Sequence, residues 1–163
     1  MAEPIDTTKV QGRRELHFNS LEDIRADVEM LAASQKLRTL GNWSTGQIFQ
    51  HLTRTMTSSL DGFAFQLPWY FRLMGKFMKK RALSGPMPPG FKLGKSASER
   101  LVPQPTSYED GLRSIRQALD RMKTEEQRAP SPFLGTLSNE EWVQMHCRHS
   151  ELHLSFIVPD GKA

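Results

Sequence analysis

One stretch limits what this chain can fold into more than any other: Leu137–Val158, LSNEEWVQMHCRHSELHLSFIV. It reads as a helix with both ends marked. Ser138 is a good N-cap, and Glu141, three residues on, completes a capping box, while Leu137 and Trp142 stand at the two positions of a hydrophobic staple. Pro159 and the Asp160-Gly161 pair mark the stop. With Trp142 set at zero and about 100° per residue, His153 falls near ~20°, His146 near ~40° and His149 near ~340°. Met145, Phe156 and Ile157 flank them. Three of the chain's five histidines thus occupy the middle of the apolar face. A buried polar group without a partner costs about 1–3 kcal/mol, so whatever packs on this face must satisfy imidazoles as well as hydrocarbon. His149 and His153, four apart, can point at one common atom. His146 with His149, three apart on the same face, is a rival pair.

Three further amphipathic helices precede it. The first starts at Asn19 or Ser20, with Glu22 and Asp23 placing negative charge at the positive end of the helix dipole. Leu21, Ile24, Val28 and Leu31 follow at spacings of three and four, and the pattern fades near Leu37 ahead of a turn at Leu40-Gly41-Asn42. The second opens at Trp43-Ser44, where Ser44 and Gln47 form a capping box and Trp43 with Ile48 a staple. Ile48, Phe49, Leu52, Met56, Leu60 and Phe63 make its apolar stripe. His51 sits on the border of that stripe, facing a neighbouring helix across the edge of the core. Ser107 caps the third, with Asp110 at the third helical position and Tyr108, Leu112, Ile115, Leu119 and Met122 repeating behind it. Four helices with one stripe each predict an all-α fold, a four-helix bundle with a long connection between helices two and three. No region reads as a sheet.

The long connection, residues 64–106, is the least bundle-like part and reads as an insertion or lid. Within it Pro68 could start a helix, PWYFRLMGKFMKKRAL, with Trp69, Tyr70, Leu73, Met74 and Phe77 on one side and Arg72, Lys76, Lys79 and Lys80 on the other. The expectation is that it packs on the bundle and exposes its charges, which could also draw an acidic substrate to the site. A basic amphipathic segment with aromatics can instead lie on a membrane. Gly85 to Gly90, GPMPPG, and a polar run to Thr106 complete the connection.

The 163 residues fit one domain, residues 14–158, between a mobile tail at 1–13 and a short one at 159–163. No apolar run approaches the roughly 20 residues of a transmembrane helix, and the N-terminus lacks the apolar core of a signal peptide, so the expected location is cytoplasmic. The net charge of +4 comes from acidic and basic residues mixed along the chain, which describes a solvated surface rather than a nucleic-acid binder. The single cysteine, Cys147, excludes an internal disulfide; it points away from His149 and reads as a buried structural thiol. His17 reads as a surface or half-buried histidine.

If helices two and four are neighbours, His51, His149 and His153 can converge on one point. Three neutral imidazoles suit a late first-row divalent metal such as zinc, nickel or iron, and three protein ligands leave a position open, as in catalytic sites. Trp43-Ser44, then His51-Leu52, then His149xxxHis153 before a hydrophobic end resemble the pattern of the DinB/YfiT-like superfamily. The lead-in from Arg14 to Ser20 and the PWYFRLMGKFMKKR segment resemble one of its bacterial branches of unknown function. The resemblance implies a four-helix bundle of DinB/YfiT type with His51, His149 and His153 as metal ligands and His146 lining the pocket beside them. It also implies a small-molecule substrate, a possible homodimer, and chemistry of the kind run by thiol-dependent transferases and isomerases, in which the metal activates a low-molecular-weight thiol such as bacillithiol or mycothiol. Two other readings stand beside this one. One is a bundle that binds a metal or small ligand without catalysis; the other is a membrane-surface protein acting through residues 68–83.

Overall fold

Four serines start the helices that build the core. The structure is a computed structural model and describes residues 3–90 and 94–160, with the backbone alone at positions 72, 95 and 96. Ser20, Ser44 and Ser138 each close a reciprocal capping box, with Asp23, Gln47 and Glu141 respectively, and Ser107 accepts from the Asp110 N–H. Each cap satisfies donors that a helix start otherwise leaves unpaired. The helices they open are α1 (Leu21–Ala33), α2 (Thr45–Asp61), α5 (Tyr108–Thr124) and α6 (Asn139–Leu154). Between α2 and α5 lie α3 (Trp69–Ser84) and α4 (Lys95–Leu101). The chain is mostly helical; the one sheet among the described residues is an antiparallel pair, β1 (Leu37–Thr39) with β2 (Ile157–Pro159).

The apolar stripes meet in one core. Ile24, Val28 and Leu31 of α1, Phe49, Leu52 and Met56 of α2, Ile115 and Leu119 of α5 and Leu154 of α6 are all fully buried in it. Contacts run α1 to α5, α5 to α2, α2 to α6 and α6 back to α1, so the four helices close a ring. That order sets α2 beside α6, and with them the two histidine-bearing faces. The tightest meeting is α2 on α5, where Gly46 and Gly111 let the backbones touch: a Cβ on Gly111 would stand 2.6 Å from the Gly46 carbonyl oxygen.

The histidine helix is shorter than its sequence pattern. It stops at Leu154 rather than running to Val158, the Ser155 N–H still bonding to Glu151 O and the Phe156 N–H to His153 O. Ile157 and Val158 then pair with Thr39 and Arg38, because β-branched residues fit a pleated edge and β1 offers one. α1 likewise ends at Ala33, leaving Leu37 for the strand. Three-residue strands carry no readable period, so neither shows in the sequence pattern. Arg14 locks this corner. Its guanidinium grips Asp27 of α1 through two bonds of 2.6 and 2.8 Å and donates to the carbonyls of Ile157 and Leu154. Ahead of it Ile5 exchanges two backbone hydrogen bonds with the Asn42 side chain. Of the expected tails, residues 1–2 and 161–163 lie outside the described residues.

The connection holds two helices where one was expected. α3 occupies the anticipated segment but presents the reverse face: Trp69, Tyr70, Leu73, Met74 and Phe77 are exposed to solvent. It seats instead through Gly75, pressed so close to the Phe133 backbone that a Cβ would clash with its carbonyl, and through Leu83, buried with Leu134, Leu137 and Trp142. Lys79 adds an ion pair to Glu141 of α6 at 2.7 Å. α4, seven residues long and too short to show a period, buries Ala97 and Leu101 against Phe65.

Candidate metal centre

The second turn of α2 and the last two turns of α6 bring His51, His149 and His153 together. One ring nitrogen from each lies within 4.8 Å of the others. His51 Nε2 and His149 Nε2 lie 3.1 Å apart. The rings meet edge to face, their centroids 4.4 to 4.9 Å apart. His51 is buried; His149 and His153 are partly buried. The α2–α6 neighbourhood required by the sequence reading is therefore present, and the i,i+4 pair does point at a common place.

The outer nitrogens decide which atoms face inward. His51 Nδ1 lies 2.8 Å from the carbonyl of Leu101, the last residue of α4. A carbonyl only accepts, so Nδ1 carries the proton and Nε2 presents its lone pair. His149 Nδ1 lies 3.4 Å from Thr55 Oγ1. The Thr55 hydroxyl donates to Leu52 O at 2.9 Å. With its hydrogen assigned to that shorter bond, Oγ1 is left to accept from His149 Nδ1–H. Two Nε2 lone pairs then face each other at 3.1 Å. Burial holds all three imidazoles below the ordinary histidine pKa, helped by the positive charge of Arg54 for His51 and by the other site histidines for His149 and His153. The trio is thus neutral at physiological pH, with two lone pairs turned on one point: the state in which imidazoles ligate metal ions.

Trp43 forms one wall. Its ring stacks on His153 at 5.6 Å and tilts against His51 at 4.9 Å. The sequence places it ahead of a helix cap as a staple for Ile48; it packs on the core cluster that holds Ile48 and also meets the two histidines. Arg54 ties the end of α4 over His51, donating to Val102 O at 2.8 Å and to Arg100 O at 3.4 Å.

His146 goes elsewhere. It is buried under Trp142, the rings stacked at 5.3 Å, and its Nε2 lies 3.0 Å from Ser59 Oγ on α2. The Ser59 hydroxyl donates to Met56 O at 2.6 Å, so His146 Nε2–H is the donor to Ser59. Burial pushes its pKa down to about 3. It is a neutral strut between α6 and α2, outside the group of three. Cys147 is buried in the core with its thiol pushed up to about 11 by that burial, which removes it as a thiolate nucleophile. His17 is largely exposed, beside Glu151 at 3.7 Å. Glu151 itself pairs with Arg148 and accepts from the Phe18 N–H, holding the lead-in against α6.

Of the groups that sequence reasoning missed, Thr55 had a signal: it stands four residues after His51 on the same helix face. The Leu101 carbonyl had none, being main chain in a segment without a pattern. The profile of one family, described as protein of unknown function (DUF1569), matches residues 10–160. The chain belongs to the DUF1569 family. That match spans every element from the Arg14 clamp to β2, so the three histidines and their supports all fall inside the DUF1569 region. No curated protein and no solved structure matches the chain.

Proposed function

We propose that His51, His149 and His153 hold one divalent late first-row metal ion (zinc, nickel or iron) in a four-helix bundle of DinB/YfiT type. We propose further that the protein uses the ion as a metal-dependent enzyme on a small molecule, of the thiol-dependent transferase kind. The observation that carries the reading is the convergence of one ring nitrogen from each of His51, His149 and His153 within 4.8 Å, with the Nε2 atoms of His51 and His149 3.1 Å apart and their Nδ1 atoms turned outward to Leu101 O and Thr55 Oγ1. The donor set also fits an ion. Nitrogens about 2.05 Å from a tetrahedral zinc lie about 3.3 Å from one another, close to the 3.1 Å between His51 Nε2 and His149 Nε2.

The chain's own residues do the orienting. Leu101 O and Thr55 Oγ1 fix the tautomers of His51 and His149, as outer hydrogen bonds to metal-bound imidazoles do. Trp43 restrains the His153 ring by stacking. A divalent ion held by three imidazoles supplies Lewis acidity at its remaining position, toward a water or a thiol.

Elemental analysis of the untagged protein beside His149→Ala tests the reading. Near-stoichiometric zinc, nickel or iron in the wild type, lost in the variant, is expected. No bound metal after incubation with each ion overturns it. A tightly held ion that no thiol can approach, read from the spectrum of the cobalt-substituted protein with and without cysteine, overturns the enzymatic part and leaves a metal-binding bundle.

A further inference from the structure

The side of α3 that faces water is the apolar one. Phe77 is 84% exposed and Trp69 74%, and Tyr70, Leu73, Met74 and Met78 are exposed with them. At about 100° per residue these side chains fill one half of the helix centred on Phe77, while Gly75, the contact with Phe133, lies roughly opposite. The glycine seat thus holds the helix with its hydrocarbon outward. A contiguous patch of large apolar side chains on a soluble surface marks an interaction site.

Charge selects the occupant. α3 carries Arg72, Lys76, Lys79, Lys80 and Arg81 and no acidic residue. Without those five the chain has 17 basic against 18 acidic residues, so its whole positive excess resides in this helix. Lys79 is paired with Glu141, but Lys76, Lys80 and Arg81 are exposed along the apolar half. A second copy laid face to face would set Lys76, Lys80 and Arg81 against their own counterparts with no counter-charge from either helix. An anionic bilayer meets both halves of the pattern: phosphates for the lysines and arginine, and the boundary of headgroup and acyl chain for Trp69, Tyr70 and the Phe77 face. Among the described residues no helix is long and apolar enough to cross a membrane, and α3 at about 24 Å is suited to lying along one.

We propose that α3 docks the protein onto an anionic lipid surface, flat, with Phe77 at the centre of the buried face. The proposal is independent of the metal reading. It is tested by sedimentation with vesicles of phosphatidylcholine containing about 30% phosphatidylglycerol, and with vesicles of phosphatidylcholine alone, at low and high salt. The expected result is binding to the anionic vesicles that fades as salt rises, with little to the neutral ones. The double variant Trp69→Ser, Phe77→Ser should bind at least about tenfold more weakly, with an unchanged thermal melt, since both side chains leave the packed structure untouched. No binding to anionic vesicles at low salt overturns the proposal, as does equal binding by the double variant. So does a lipid-free dimer that the double variant splits, which would make a second copy the occupant.

Discussion

Adding one methyl group at Gly111 puts two known effects in opposition. In a helix interior, alanine is favoured over glycine by about 1 kcal/mol, so Gly111→Ala would stabilise the protein if the site were open. It is not open. The new Cβ would stand 2.6 Å from Gly46 O and 2.8 Å from Gly46 Cα, against 3.4 Å or more for an ordinary contact, so α2 and α5 must part by about 0.8 Å. The opposing atoms are backbone and cannot swing aside as a side-chain tip would. Overpacking of this kind costs about 1–3 kcal/mol, and a backbone wall belongs at the upper end. The parting also loosens Phe49 against Tyr108 at the same crossing. The net expectation is a loss of about 1–2 kcal/mol, or roughly 3–6 °C in Tm for a chain of this size. Urea and thermal melts followed by circular dichroism measure it. Gly94→Ala serves as the control, since its added methyl meets nothing within 4 Å and should change stability by under about 0.5 kcal/mol. A Gly111→Ala protein as stable as the wild type would refute the close crossing of α2 and α5, and with it the placement of α2 that brings His51 to the site.

Three other perturbations probe the rest of the structure. His146 has a folded pKa of about 3 against 6.5 for a free imidazole, so as pH falls below 6.5 the unfolded chain takes up that proton first. The stability tied to neutral His146 is whole above about pH 6.5 and is lost on the way down toward 3. His146→Gln keeps an N–H for Ser59 but cannot titrate, so between pH 6 and 4 the metal-free variant should lose stability less steeply than the wild type, by up to about 1.4 kcal/mol per pH unit; parallel slopes in chemical denaturation would refute the buried neutral imidazole. Thr55→Val removes the acceptor that orients His149 and should weaken metal affinity by about tenfold at unchanged stoichiometry, read by competition with a chromophoric chelator; unchanged affinity would deny Thr55 that role. Arg14→Met strands Asp27, whose side chain is 9% exposed, and should cost about 3 kcal/mol, or roughly 6–12 °C in Tm; a Tm within about 2 °C of wild type would show that the clamp does not hold the corner.

The parts of the molecule that were legible in its sequence are those encoded by short-range rules. Each serine that caps a helix has its partner three residues away, and each stripe repeats every three or four, so α1, α2, α5 and α6 could be placed to within a few residues. The convergence of His51 with His149 and His153 followed from stripe geometry once α2 and α6 were set side by side. What escaped depends on contacts between distant segments. The β1–β2 pair exists because Leu37–Thr39 and Ile157–Pro159 meet, not because either is a strand by itself. The orientation of α3 is the clearest case. Its amphipathic pattern shows which side is apolar, but the side that packs was decided by Gly75, a residue without a side chain, against a backbone 58 positions away. Trp43 stands beside its cap and packs on the core that holds Ile48, and its ring also walls two imidazoles, a second contact that a staple position does not announce.

The support beneath His51 is a main-chain carbonyl, and that changes where the chain can tolerate variation. No replacement of the Leu101 side chain deletes the Leu101 oxygen, so a scan of substitutions through 94–102 would pass over the residue that sets the His51 tautomer. The constraint there falls on path rather than identity. Removing a single residue within α4 would turn the Leu101 carbonyl by about 100° and draw it back by about 1.5 Å, taking it out of reach of Nδ1. Among relatives of this chain, the distance along the backbone from Gly94 to Leu101 should therefore hold steady even where the letters between them do not.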